Sequence, residues 1–183
     1  MAAGATIQRF EIALSDVDRG VYETLDLRIA QHPSETTRYL LTRLVAYLLS
    51  HEDGIAFSKG GLSDTDDPPI SIRDGSGNFI AWIDVGVPSG DRLHKASKAA
   101  RRVVIFTSAE LTLLRKEAAA RNIYKAEAIE IVRIDPKFLD SLEEKLSRTT
   151  VLEVTHNEGT LYVNVGGVTL ETVLVRAPLV LTE

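Results

Sequence analysis

Asp84 is the residue whose type and position most clearly suggest chemistry, because it lies near the end of the apolar run "FIAWIDVGV". Aspartate is depleted in strands, and a buried carboxylate needs an ion or a hydrogen-bonding partner. If the run is a strand, alternation places Trp82 and Asp84 on one face and Ile83 and Val85 on the other. Divalent ions prefer hard oxygen ligands, so the sequence favours a Mg²⁺ site, with Mn²⁺ as the alternative ion, at Asp84.

Other acidic residues are candidates for the same ion. Asp66 and Asp67 precede the strand-like segment "PISIRD", and Glu35 is expected in the first turn of a long helix. A bound Mg²⁺ keeps several waters and uses only a few carboxylates. Three places in the chain therefore offer ligands: Glu35, the pair Asp66 and Asp67, and Asp84.

A stripe of basic residues follows Asp84 in the sequence. Arg92, Lys95, Lys98 and Arg102 are spaced by three, three and four positions, which places them on one helix face. Such a stripe can follow a phosphate backbone, and with Arg73 it forms the predicted contact set for nucleic acid. Lys95 or Lys98 is also the candidate for stabilising charge on a phosphoryl oxygen in a hydrolytic transition state.

Each of these features also has a structural interpretation. Glu35 suits a helix start through capping and the helix dipole. The run "DTDD" at 64–67 suits a solvated loop, and the basic stripe suits an exposed helix face. Asp84 can form a structural ion pair with Arg73 of the neighbouring strand.

The elements that position these residues follow from hydrophobic periodicity. Alternating runs at 5–14 and 23–30 predict two strands, and repeated leucines after Pro33 predict a helix with Pro33 at its first position. The order predicted from residue 34 to 107 is helix, three strands, helix, strand. Downstream we expect a helix capped by Ser108, a strand, another helix and an antiparallel meander of three strands.

We therefore expect one α/β domain over residues 1–183. Its core covers about 34–107, with an N-terminal hairpin at 5–30 and a C-terminal β elaboration at 126–178.

Composition excludes several classes of function. The absence of cysteine rules out disulfides, thiolate zinc sites and cysteine nucleophiles, and the four histidines lack zinc-ligand spacing. The net charge of −5 argues against a wholly basic nucleic-acid binder, although the segment 91–102 carries five positive charges against one negative. The sequence shows neither a leader nor a membrane-spanning run, so we expect a cytoplasmic protein without membrane partners and, by default, a monomer.

Several short segments together resemble the YaeQ family. They are "HPSET" at the start of the long helix, "DDPP" leading to "IR", the strand end "WIDVG.P", the following "KA" helix, the strand ending in "IFT", and "SRTTVLEVT". The resemblance runs along essentially the whole chain, and the order and spacing of the segments make it specific.

This resemblance implies a variant of the restriction-endonuclease-like core of PD-(D/E)XK nucleases, with a mixed sheet. By position, Glu35 matches the helix glutamate of these enzymes and Asp84 the acidic residue of the third strand. Asp67 is the best match for the second-strand aspartate, with Asp66 and Asp74 as rivals. The strand lysine is missing, because Gly86 stands two residues after Asp84, and Lys95 or Lys98 is expected to replace it.

The sequence thus predicts a Mg²⁺-dependent phosphodiesterase acting on DNA or RNA, in which Glu35, Asp67 and Asp84 hold the ion. The alternative is a non-catalytic nucleic-acid-binding or transcription-related regulatory module on a degenerate nuclease fold. A third interpretation is an interaction scaffold that pairs through the edge of the last strand, "VTLETVLVR".

Overall fold

The computed structural model of the chain describes residues 4–60 and 66–182. The chain divides into two compact units, one of Met1–Leu41 with Ile134–Leu174 and the other of Thr42–Arg133 with Val175–Glu183. The fold is mixed α/β, with two mixed sheets and four α-helices within those described ranges. The expectation of a single domain stays a prediction.

The elements of the N-terminal half are β1 (Thr6–Asp16), β2 (Val21–Gln31), α1 (Thr37–Leu49), β3 (Ile55–Phe57), β4 (Ile70–Arg73), β5 (Phe79–Val85) and α2 (Gly90–Ala99). Those of the C-terminal half are β6 (Arg102–Thr107), α3 (Leu111–Ala119), β7 (Glu130–Arg133), α4 (Pro136–Glu143), β8 (Thr149–Asn157), β9 (Thr160–Val165), β10 (Val168–Val173) and β11 (Val175–Pro178). A 3₁₀ turn at Ala126–Ala128 precedes β7.

The first unit contains a five-stranded sheet in the order β10-β9-β8-β1-β2. β1 and β8 pair in parallel, whereas β1 with β2, β8 with β9 and β9 with β10 are antiparallel. Alternation along β1 buries Phe10, Ile12 and Leu14, as a strand with one covered face requires. The predicted N-terminal hairpin and C-terminal meander therefore form one sheet, a long-range pairing that local periodicity does not encode.

The second unit contains a six-stranded sheet in the order β11-β7-β6-β5-β4-β3. Strands β3, β4 and β5 are antiparallel neighbours, whereas β5, β6 and β7 run parallel. The parallel connections carry α2 and α3, since parallel strands need a long crossover. Trp82, Leu93, Ile105 and Leu114 belong to the core formed there, so α2 is fixed against the sheet that carries Asp84.

The start of the long helix differs from the prediction. α1 begins at Thr37, because Pro33 lies in a turn closed by the Glu35 N–H donating to the His32 carbonyl at 2.8 Å. Thr36 caps the helix, with its Oγ1 accepting the Tyr39 N–H at 3.1 Å. Glu35 therefore precedes the helix and does not lie in its first turn.

Three further expectations need correction. Ser108 does not cap α3, which begins at Leu111 after Glu110. Arg102 lies at the start of β6, since α2 ends at Ala99. The last predicted strand is two strands, because the chain leaves β10 at Leu174 and enters the other sheet as β11.

None of the helices within residues 4–60 and 66–182 has the length and apolarity required to cross a membrane. The cytoplasmic location stays a prediction.

Candidate functional site

Asp84 lies one residue before the end of β5, and its residue is only 2% exposed. Strand alternation puts Trp82 and Asp84 on the same face, as predicted. The indole Nε1 of Trp82 donates a hydrogen bond of 2.9 Å to Asp84 Oδ2. The carboxylate is thus buried and already has one donor from its own strand.

The second partner of Asp84 is Arg92 in the first turn of α2. Ser89 caps this helix by accepting the Arg92 N–H at 3.2 Å, which fixes where the helix begins. Arg92 Nε then lies 2.9 Å from each Asp84 oxygen. A structural ion pair was one of the interpretations open from the sequence, but its arginine is Arg92 and not Arg73.

Burial governs the titration of this carboxylate. The pKa of Asp84 is raised above its ordinary value because desolvation penalises the charged form, and this effect outweighs the opposing influence of Arg92 and Trp82. A buried carboxylate of this kind is stabilised by a proton or by a nearby cation, and the guanidinium of Arg92 is that cation.

Arg92 also connects Asp84 to the segment before β4. Its Nη2 donates to the backbone carbonyl of Asp67 at 3.0 Å. Asp67 Oδ1 in turn lies 3.3 Å from Arg73 Nη2. The guanidinium of Arg73 stacks on Phe79, with Cζ 3.8 Å from the ring centroid.

Asp66 and Lys95 add a third ion pair, with 2.6 Å between Asp66 Oδ1 and Lys95 Nζ. The hydrogen bond and charge of Lys95 hold the pKa of Asp66 below its ordinary value. Three carboxylates and three cations thus alternate in one place, which we call the charged cluster. Its members are Asp66, Asp67, Arg73, Asp84, Arg92 and Lys95.

Asp74 and Glu35 have separate surroundings. Asp74 Oδ1 accepts the N–H groups of Ser76 and Asn78, both at 2.9 Å, and so closes the β4–β5 turn. Glu35 belongs to the first compact unit, where its Oε2 accepts the His32 N–H at 3.2 Å. The assignment of Glu35 as a metal ligand stays a prediction.

The acidic run "DTDD" is described only from Asp66, since Asp64 and Thr65 lie outside the described residues.

The remaining basic residues lie exposed along α2 and just beyond it. Lys98 and Arg101 form no ion pair with any residue that the structure describes, and Arg102 lies 3.8 Å from Glu52. We call Lys95, Lys98, Arg101 and Arg102 the α2 cation face. Of the predicted stripe, Arg92 turns inward to Asp84, whereas Lys95 and Lys98 are exposed to solvent.

The charged cluster does not fit a divalent ion in this arrangement. Both Asp84 oxygens accept hydrogen bonds from Arg92, and one also accepts from Trp82, so a metal would have to displace a guanidinium. Across residues 4–60 and 66–182, no three histidine, aspartate or glutamate side chains are grouped so that they could ligate one ion.

The contacts of Trp82 and Arg92 with Asp84 were not predicted from the sequence. The tryptophan two residues before Asp84 was a visible signal, because a same-face neighbour with an N–H is a ready donor. Arg92 was assigned to phosphate contact, although its first-turn position behind a serine cap also places it near the strand end. The predicted stripe does not include Arg101, which is exposed beside Arg102.

Comparison with known proteins gives one consistent family. The sequence model described as "YaeQ protein" matches residues 1–174. The uncharacterized protein YaeQ of Escherichia coli K12 is 27% identical over 166 residues, which cover 90% of this chain and 91% of that protein. The uncharacterized YaeQ of Salmonella typhi is 27% identical over 168 residues, with the same coverage.

Two crystal structures are similar over nearly the whole fold. The YaeQ protein from Pseudomonas syringae has a TM-score of 0.83 at 31% identity and covers 93% of this chain and 94% of its own. The YaeQ protein from Xanthomonas axonopodis pv. citri has a TM-score of 0.82 at 31% identity, covering 93% of this chain and 96% of its own.

Proposed function

This chain belongs to the YaeQ family, and we propose that it binds nucleic acid through the α2 cation face without hydrolysing it. In this function the phosphate backbone lies along α2. Arg92 neutralises Asp84 from within the protein and takes the place that a metal has in a nuclease.

The ion pair between Asp84 and Arg92 carries this proposal. An arginine that donates Nε to both carboxylate oxygens, in a site that also holds a tryptophan donor, satisfies the buried charge. An ion could reach this carboxylate only by displacing the guanidinium. Lys98 and Arg101 are exposed and form no ion pair within the described residues, so they have capacity for phosphate.

The spacing of those cations suits a phosphate backbone. Lys95 and Lys98 are three residues apart on α2, which is about 4.5 Å along the axis. Arg101 and Arg102 continue the row where the chain passes from α2 into β6. Phosphate contacts of this kind position the protein and do not read sequence.

We propose that the second unit is a variant of the restriction-endonuclease-like core. The order of elements in this unit supports the proposal. Three antiparallel strands, β3 to β5, are followed by α2 and then by β6, which runs parallel to β5. The C-terminal half of α1, from Thr42, belongs to the same unit and precedes these strands.

Binding can be measured by fluorescence anisotropy with a labelled 20-base duplex and the matching single strand at low salt. Affinity in EDTA should be at least as high as in Mg²⁺, because the contacts are direct phosphate ion pairs and Mg²⁺ competes with them for the phosphates. The double substitution Lys98→Glu with Arg101→Glu should abolish binding.

Lys137→Glu with Lys145→Glu is the matched control, since it changes the net charge by the same amount and both lysines are exposed and lie in the other compact unit. It should bind like the wild type. Failure of the wild-type protein to bind either probe at low salt, or binding that requires Mg²⁺, would refute the proposal.

A Mg²⁺-dependent nuclease is the second candidate, and the convergence of Asp66, Asp67 and Asp84 around Arg92 and Lys95 favours it. Its test is calorimetric titration with Mn²⁺ of the wild type, Arg92→Gln and Asp84→Asn. Binding by the wild type that is lost in Asp84→Asn would support the nuclease. Equal heats for all three proteins would exclude the predicted site.

A further inference from the structure

β2 forms one edge of the five-stranded sheet, and its length of 11 residues makes it a long edge. Its inner face carries Leu25 and Leu27, which are only half-buried, beside the buried Ile29. Its outer face carries Asp26 and Arg28, both exposed. Edge strands of this length offer a template for pairing with another chain unless charges oppose it.

Arg28 is the direct cross-strand neighbour of Arg9 on β1, so two like charges face each other. Within the described part of the chain, Arg28 forms no ion pair. Arg9 binds Asp26, with 3.0 Å from Nε to Oδ1 and 2.8 Å from Nη2 to Oδ2, and its Nη2 also lies 3.0 Å from Glu11 Oε1. The charge of Arg28 helps to lower the pKa of Asp26.

We propose that β2 pairs with β2 of a second copy of this chain, antiparallel and symmetric about Leu27. In this register Asp26 of each copy lies opposite Arg28 of the other, which creates two equivalent ion pairs. Leu27 meets Leu27, and Leu25 meets Ile29, on the inner face. A carboxylate has about four acceptor sites, so Asp26 can accept Arg28 of the second copy while it keeps Arg9.

Neighbouring registers lack this complementarity. Symmetry about Asp26 places two aspartates opposite each other, and symmetry about Arg28 places two arginines opposite each other, both of which are unfavourable. Symmetry about Leu25 puts Glu23 opposite Leu27 on the apolar inner face. The pattern of residues 25–29 therefore selects one register and one kind of partner, another copy of the same strand.

Sedimentation equilibrium on the full chain tests the proposal. The wild type should form a dimer, and Arg28→Asp should weaken association at least about tenfold because it sets like charges opposite each other. Asp26→Arg should have the same effect. An equimolar mixture of the two variants should associate again, since one copy then presents two acidic and the other two basic side chains at these positions.

The double substitution Asp26→Arg with Arg28→Asp should also dimerise, because exchange of the two charges keeps them complementary. Glu153→Arg on the inner strand β8 is the control for charge reversal and should dimerise like the wild type, and circular dichroism checks that every variant folds. A monomeric wild type would overturn the proposal. A dimer that survives Arg28→Asp, or single variants that do not associate when mixed, would overturn it equally.

Discussion

At the scale of the residue, Asp84 and Arg92 decide what the charged cluster can do. They are eight positions apart and meet because the strand end and the first helical turn are neighbours in space. Burial alone would make an aspartate here costly, and the guanidinium offsets part of that cost. The pair therefore has a structural role, whichever ligand the surrounding surface takes.

Arg92→Leu tests this role. The variant leaves a buried carboxylate without its cation and should lower the free energy of unfolding by roughly 3–5 kcal/mol at neutral pH. Because the pKa of folded Asp84 is already raised, the folded state binds more protons than the unfolded state between the ordinary and the raised pKa. Stability should therefore fall as pH rises through this window, and more steeply in the variant.

Urea denaturation over a pH series measures this effect. Adding Asp84→Asn to Arg92→Leu should remove the extra pH dependence and recover much of the stability. Parallel pH profiles for wild type and Arg92→Leu would mean that the guanidinium does not neutralise Asp84.

At the scale of the element, β3 and β4 depend on one glycine. Gly54 has a φ of +88°, and a Cβ there would lie 2.3 Å from the carbonyl oxygen of Arg73. The Gly54 carbonyl also accepts the Arg73 N–H at 3.2 Å. The close approach of the backbone at Gly54 to the backbone at Arg73 thus fixes the position of β4, the strand that carries Arg73.

Gly54→Ala should be far more destabilising than Gly77→Ala. Both positions have positive φ, which costs roughly 1–2 kcal/mol for a residue with a Cβ. Gly77 has open space around it, with φ +84°, whereas Gly54 adds a clash with backbone that typically costs about 1–3 kcal/mol more. If urea denaturation gives the two variants an equal loss in the free energy of unfolding, β3 can move away from Arg73 freely.

At the scale of the whole molecule, a net charge of −5 and an isoelectric point near 5.4 oppose binding to a polyanion. In the proposed function, the α2 cation face acts on the phosphates locally, within a Debye length of about 8–10 Å at physiological salt. Binding is therefore expected to be weak and strongly dependent on ionic strength.

The salt dependence provides a quantitative test. With three to four phosphate contacts, the logarithm of the affinity for duplex DNA should fall with the logarithm of salt concentration with a slope of about −3. Lys98→Ala should reduce the magnitude of that slope by about one, independently of the DNA sequence. Anisotropy titrations between about 50 and 200 mM salt measure both values. An unchanged slope would remove Lys98 from the interface.

Sequence patterns predicted the local structure well, because periodicity and turn residues act over short distances. The strands around Phe10, Ile72 and Trp82 and the helix that carries Lys95 lie where periodicity placed them. The errors occur at boundaries such as Pro33 and Arg102, where a turn or a cap competes with helix propensity.

The sequence by itself determined which residues carry charge and that Trp82 and Asp84 share one face of β5. Only the tertiary structure decided the partner of each charge: Asp84 takes Arg92, Asp67 takes Arg73 and Asp66 takes Lys95. It also decided that the N-terminal hairpin and the strands β8 to β10 share one sheet. Spacing along the chain fixes the direction of a side chain relative to its own element, whereas partners depend on how separate elements pack, which is a long-range property.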